Sequence, residues 1–180
     1  MLTTRLSLLV ILAFAMLATG SVRPQVYSTD QIEVELLAEP LQVVPGESFW
    51  LAIRLDPLEG WHTYWKFGGD SGEATEATDW VLPDGASAGD IIWPMPDWTP
   101  FPGSDLVTFT YEHEVFLPIP VVVPSSFDQD EFTASTSASM SLYNPDYEEL
   151  ASRLIINNHQ KNTSDSFCDS MLELKKYISD

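Results

Sequence analysis

Six consecutive residues, Gly60-Trp61-His62-Thr63-Tyr64-Trp65, bring together two indoles, an imidazole and a phenol. On a strand, Trp61, Thr63 and Trp65 face one way and His62 and Tyr64 the other, because side chains alternate across a sheet. One face then suits a core. The opposite pair can donate or accept hydrogen bonds at the edge of a cleft, and it equally suits structural hydrogen bonding beside a tryptophan-rich interior. All six tryptophans lie between Trp50 and Trp98. The segment Gly68-Gly69-Asp70-Ser71-Gly72 has the glycines of a phosphate cradle but no following Lys-Ser/Thr, and its surroundings are acidic. It reads as a tight structural loop in which Asp70 bonds backbone amides.

Other chemistries find less support. His62, His113 and His159 are far apart, and no His-x-x-x-His or cysteine-containing ligand pair exists, so neither a metal nor a cofactor is expected. Asp70 to Asp79 is rich in oxygen ligands but lacks the regular acidic spacing of a calcium loop. No Gly-x-Ser-x-Gly is present, so no serine hydrolase is indicated. Cys168 is the single cysteine, which excludes an internal disulfide framework and any two-thiol redox step within one molecule.

The elements that must position these residues follow from period and punctuation. All 13 prolines lie at or before Pro145 and all nine glycines at or before Gly103. The first part therefore reads as strands and loops, the last as helix. Ile32, Val34 and Leu36 alternate with Glu33 and Glu35, and Phe49, Leu51, Ile53 and Leu55 alternate beyond a Pro45-Gly46 turn. Further strands are expected at residues 61–65, 78–82, 89–93, 107–111, 115–123 and 131–142. Pro83-Asp84-Gly85 marks a turn, and Pro94, Pro96, Pro100 and Pro102 mark a long irregular loop. Some eight short strands with no helix between them predict an all-β, immunoglobulin-like antiparallel sandwich.

Asn144 and Pro145 resemble a helix cap, and Tyr147, Leu150, Ala151, Leu154 and Ile155 follow at helical spacing. A second helix is expected from about Ser164. The fold class is thus a β-sandwich with a short α-helical C-terminal tail.

Arg5 and the apolar run Leu6 to Leu17, followed by Ala18-Thr19-Gly20, predict a secretory signal peptide over residues 1–20. Residues 21–143 are then the sandwich and 144–180 the tail, with no transmembrane segment after cleavage. The formal charge of -19 comes from 27 acidic and 8 basic residues, and no Lys or Arg occurs between Phe67 and Ser152. Nucleic acid is therefore not an expected partner.

The motifs Gly60-Trp61-His62-Thr63-Tyr64-Trp65, Gly69-Asp70-Ser71-Gly72, Asp79-Trp80, Leu82-Pro83, Ile92-Trp93-Pro94-Met95-Pro96 and Tyr111-Glu112-His113-Glu114-Val115-Phe116-Leu117-Pro118 stand in order along the chain. Their order and spacing resemble the N-terminal periplasmic, immunoglobulin-like domain of the thiol:disulfide interchange protein DsbD family, from about Val34 to Ser139. The resemblance implies a domain that relays reducing equivalents between a membrane-embedded domain and periplasmic oxidoreductases, using two closely spaced cysteines near the end of the sandwich. The corresponding region, about Thr136 to Ser152, has no cysteine.

A mixed disulfide has to be released by a second sulfur, so catalysis by that route is not expected. The leading expectation is a periplasmic, non-enzymatic binding or accessory module, with periplasmic or membrane redox proteins as partners. His62, Tyr64, Trp65, Asp70, Trp93 and Tyr111 are its candidate binding or cleft residues. One alternative is thiol-disulfide exchange through Cys168 with an external resolving thiol. Another is a glycan-binding sandwich that stacks sugars on exposed aromatic rings, for which Trp61, Trp65, Trp93 and Trp98 would have to be exposed.

Overall fold

The computed structural model describes residues 26–39, 43–100, 103–129 and 132–144, and the backbone of residues 150–159. In chain order the strands are β1 (Tyr27–Ser28), β2 (Ile32–Ala38), β3 (Ser48–Pro57), β4 (Thr63–Gly69), β5 (Glu76–Val81), β6 (Ser87–Ala88), β7 (Asp97–Pro100), β8 (Val107–Tyr111), β9 (Val115–Val122), β10 (Thr133–Leu142) and β11 (Leu150–His159). They form three antiparallel sheets, β1-β2-β3-β9-β6, β11-β10-β5 and β4-β8-β7. Among the described residues there is no helix, and so none long and apolar enough to cross a membrane. The expected immunoglobulin-like sandwich is what the chain forms.

Period-2 alternation builds the core. In register, Val34 lies opposite Leu55, Leu36 opposite Ile53, and Ile53 in turn opposite Leu117. These rows are fully buried and meet Ala134, Ala138, Met140 and Leu142 of β10, with Phe132 edge-on to Phe49 at 5.1 Å. Each such aliphatic side chain contributes about 1.5–3 kcal/mol on burial. The outward face of the same strands carries Arg54, whose guanidinium meets Glu33, Glu35, Asp56 and Glu114 at 3.0–3.2 Å. Burial opposes the charge on Arg54, but its bonds to Glu35 and Glu33 outweigh that and raise its pKa.

Two prolines in β9 decide how this sheet ends. The carbonyls of Pro118 and Pro120 accept from Ile92 N–H and Gly89 N–H, both at 2.8 Å, so their backbone polar groups point away from β3. The missing proline N–H groups therefore fall on the outer side, where the neighbouring segment can donate but not accept. This is why residues 89–93 run beside β9 without forming the expected strand, and β6 (Ser87–Ala88) ends just before them. The Pro83–Ala86 turn closes as expected, with Ala86 N–H on the Pro83 carbonyl at 3.0 Å and Gly85 at φ 80°. Asp79, at φ 54°, forms a bulge where β5 shifts register against β10, and Thr136 Oγ1 donates to Thr78 O at 2.7 Å across it.

Three further expectations differ from the structure. The strand expected at 61–65 starts at Thr63 and continues to Gly69, and β7 forms inside the proline-rich stretch read as irregular loop. The helix expected after Asn144 is, over residues 150–159, the strand β11, paired with β10 along its whole length from Thr133↔His159 to Leu142↔Leu150. An isolated helix of that length is marginal in water, whereas the free side of β10 offers a ladder of backbone partners to a segment containing Leu154, Ile155 and Ile156. Pairing overrides the local period. The signal segment, residues 145–149, the helix expected from Ser164, and Cys168 lie outside the described residues.

Candidate functional site

A turn sets up the aromatic segment. Trp61 N–H bonds Leu58 O at 2.8 Å, and Gly60 occupies the left-handed position at φ 85° that a larger residue adopts only with strain. The chain then enters β4 with His62 bridged to Tyr143, each donating its N–H to the other's carbonyl at 2.9 and 3.1 Å. This bridge ties the β4-β8-β7 sheet to the end of β10.

The alternation is as expected, and its consequence is sharper. Trp61 and Trp65 pack partly against the main core. His62 and Tyr64 look the other way, yet both are buried, with 7 % and 0 % exposure. The His62 ring lies 5.3 Å from Tyr64 and 5.2 Å from Tyr143. The loop after β4 seals Tyr64: Gly72 sits so close to its ring that any Cβ there would collide, and Ala74 bridges to it. Tyr64 is thus an interior residue, not the cleft-edge phenol anticipated. His62 does border open space.

That space is a cavity of about 440 Å³ between the turn before β4, the start of the β8–β9 connection and the end of β10. Trp61, His62 and Tyr143 give it aromatic walls, Pro57 and Pro100 apolar ones, and Thr99, Thr108, Glu59, Glu112 and His113 its polar groups. Glu112 is held in place by Thr99 Oγ1, which donates to its Oε1 at 3.1 Å.

The other singled-out residues lie elsewhere. Asp70 behaves as read: its carboxylate accepts Val107 N–H at 2.9 Å while its own N–H donates to Val107 O at 2.9 Å, closing the glycine loop onto β8. Tyr111 is buried and donates its hydroxyl to Pro94 O at 2.8 Å. Burial, aided by Asp97, pushes its pKa well above the ordinary tyrosine range, which suits a strut rather than a proton shuttle. Trp93 is half-buried and lines a second groove of about 460 Å³, with Trp80 and Ile91, between β5 and the 89–93 segment. Trp65 stacks edge-on with Phe67 and Phe109 at 6.0 and 5.9 Å. Among the four tryptophans required by glycan stacking, only Trp98, 63 % exposed, offers most of its surface. Among the described residues no group of three or more His, Cys, Asp or Glu is placed to hold a metal.

Sequence reasoning therefore found His62 and missed Glu59, Glu112, His113 and Tyr143. The polar run Glu112-His113-Glu114 between two apolar strands was the available signal, since it has to lie at an exposed strand connection. Tyr143 had none, because its role depends on pairing across 81 positions with His62.

A family model described as the N-terminal part of thiol:disulfide interchange protein DsbD matches residues 31–140. The crystal structure of the N-terminal periplasmic domain of ScsB from Proteus mirabilis superposes with a TM-score of 0.58 at 20 % identity, over 80 % of this chain and 54 % of that one. At that identity the likeness establishes the fold, and the chain spans about half of the ScsB domain. A separate similarity, 37 % identity over 51 residues, relates 28 % of this chain to 6 % of the large subunit of ribonucleoside-diphosphate reductase from Arabidopsis thaliana. So small a share of that subunit brings none of its activity with it.

Proposed function

The chain belongs to the family of the N-terminal domain of the thiol:disulfide interchange protein DsbD, and from that premise we propose that it is an exported, periplasmic recognition module. It docks periplasmic or membrane redox proteins without turning over thiols itself. Residues 1–20 are the export signal, 21–143 the docking sandwich, and 144–180 an appended segment that contributes β11.

The single observation behind this reading is the end of β10. The family resemblance puts the redox cysteines between about Thr136 and Ser152, and here that stretch contains none. Where that stretch leaves β10 it presents Tyr143 and Asn144, packed on His62 and Gly60 beside the 440 Å³ cavity. The framework that would present the sulfurs is kept, along with an accessible recess next to it. A partner with a basic docking face is attracted by the negative field, and its affinity falls as salt rises.

The test is insulin reduction by the purified protein with dithiothreitol as electron source, run beside surface binding of an oxidised periplasmic oxidoreductase at two salt concentrations. Background-level turnover with salt-sensitive binding is the expected result. Robust turnover by the protein would overturn the non-catalytic role, and absence of binding would overturn the docking role.

A further inference from the structure

Resting on that docking role, we infer that the cavity beside His62 receives the guanidinium of an arginine side chain from the docked partner. The walls and the charges match the two parts of such a side chain. Trp61 and Tyr143 line it with aromatic rings, against which a planar cation and its apolar stem can pack, and Glu59 and Glu112 supply carboxylates at the same recess. Glu112 is already oriented by Thr99, so little ordering is left to occur on binding.

The chain provides its own comparison. The short β8–β9 connection carries two glutamates two positions apart. Glu114 reaches Arg54 at 3.2 Å, joining the three other carboxylates around that guanidinium. Glu112 faces the cavity, and among the described residues no Lys or Arg lines that recess. One glutamate of the connection has its arginine within the fold, whereas the other presents the same chemistry to a recess of side-chain size. With no Lys or Arg from Phe67 to Ser152 and none lining the recess among the described residues, the complementary cation is assigned to the partner.

The experiment titrates the full chain with N-acetyl-arginine methylamide and follows amide and side-chain resonances of Trp61, His62 and His113. The citrulline analogue, nearly the same shape without charge, is the control. Saturable shifts with the arginine probe are expected, with binding at least about tenfold weaker for citrulline, equivalent to about 1.4 kcal/mol. The double variant Glu59→Gln/Glu112→Gln should lose binding by a similar factor while retaining its melting temperature, and Trp98→Ala should leave binding unchanged. Equal binding of the two probes, or arginine binding that survives the double variant, overturns the inference. Oxidoreductase docking is measured on the same samples. Docking by wild type without any arginine binding overturns this inference alone, and arginine binding without docking overturns the recognition role alone.

Discussion

The β2-β3-β9 centre of the large sheet and the β4-β8-β7 sheet are built from the same alternation and end in opposite conditions. In the first, aliphatic side chains alternate with polar ones, every inward residue is buried, and the outward charges are paired around Arg54. In the second the side chains are aromatic, Phe67 and Trp98 stand 66 % and 63 % exposed, and a cavity opens beside His62. Both sheets join one sandwich, but the second leaves large aromatic rings in solvent, whereas the exposed apolar residue of the first is Val122 at the end of β9. The difference teaches how stability and the proposed recognition role divide in space: the aliphatic centre holds the fold, and the aromatic sheet leaves ring surface and a recess to which that role is assigned.

That contrast can be broken. Tyr64→Ala, which empties a fully buried site in the aromatic sheet, should cost about 3–5 kcal/mol, comparable to or above Ile53→Ala at about 2–5 kcal/mol in the large sheet. Both should shift a single unfolding transition followed by tryptophan fluorescence and circular dichroism. Two separate transitions would show that the sheets are independent units. Gly72→Ala comes next: its φ of 82° and the Tyr64 ring both oppose a Cβ, and a loss of about 3 kcal/mol is expected from urea denaturation. A Gly72→Ala protein of wild-type stability would mean that the loop does not seal Tyr64.

Arg54→Met sharpens the other side of the comparison. The side chain is 12 % exposed and its loss leaves Glu35 buried among like charges, so about 2–3 kcal/mol should disappear, less than for a wholly buried pair because Glu33, Asp56 and Glu114 remain solvated. A smaller effect concerns Tyr111. Its pKa is raised on folding, so its contribution is whole below the ordinary tyrosine value of about 10 and is lost as pH climbs from there toward its own higher pKa. Stability should fall above pH 10, and Tyr111→Phe should flatten that fall. Smallest of all, Trp98→Ser should change stability by less than about 0.5 kcal/mol. A large loss would mean that this ring is structural and would erase the difference between the sheets.

Legibility in the sequence followed the range of the interactions. β2 and β3 were readable from apolar alternation, β8 and β9 as short runs between turn signals, and Asp70 from its glycine-rich surroundings. The strand expected at 89–93 failed because Pro118 and Pro120, some thirty positions away, offer it no donors. The helix expected after Asn144 failed over residues 150–159 because β10 had a free side. His62 was picked for its chemistry, but its neighbours in the cavity come from three different parts of the chain.

By itself the sequence determined the all-β class, the inward rows of the core, the kinship with the DsbD N-terminal domain, and the absence of the paired cysteines on which reduction by that route depends. These are properties of residue identity and local period, and they stand whatever the chain packs against. Tertiary structure alone decided that residues 150–159 are a strand, that Tyr64 is sealed while His62 borders a cavity, and that Glu112 faces open space while Glu114 meets Arg54. Each of these depends on which backbone edge or charge arrives from a distant part of the chain, and a hydrogen bond or ion pair exists only once both partners are in place.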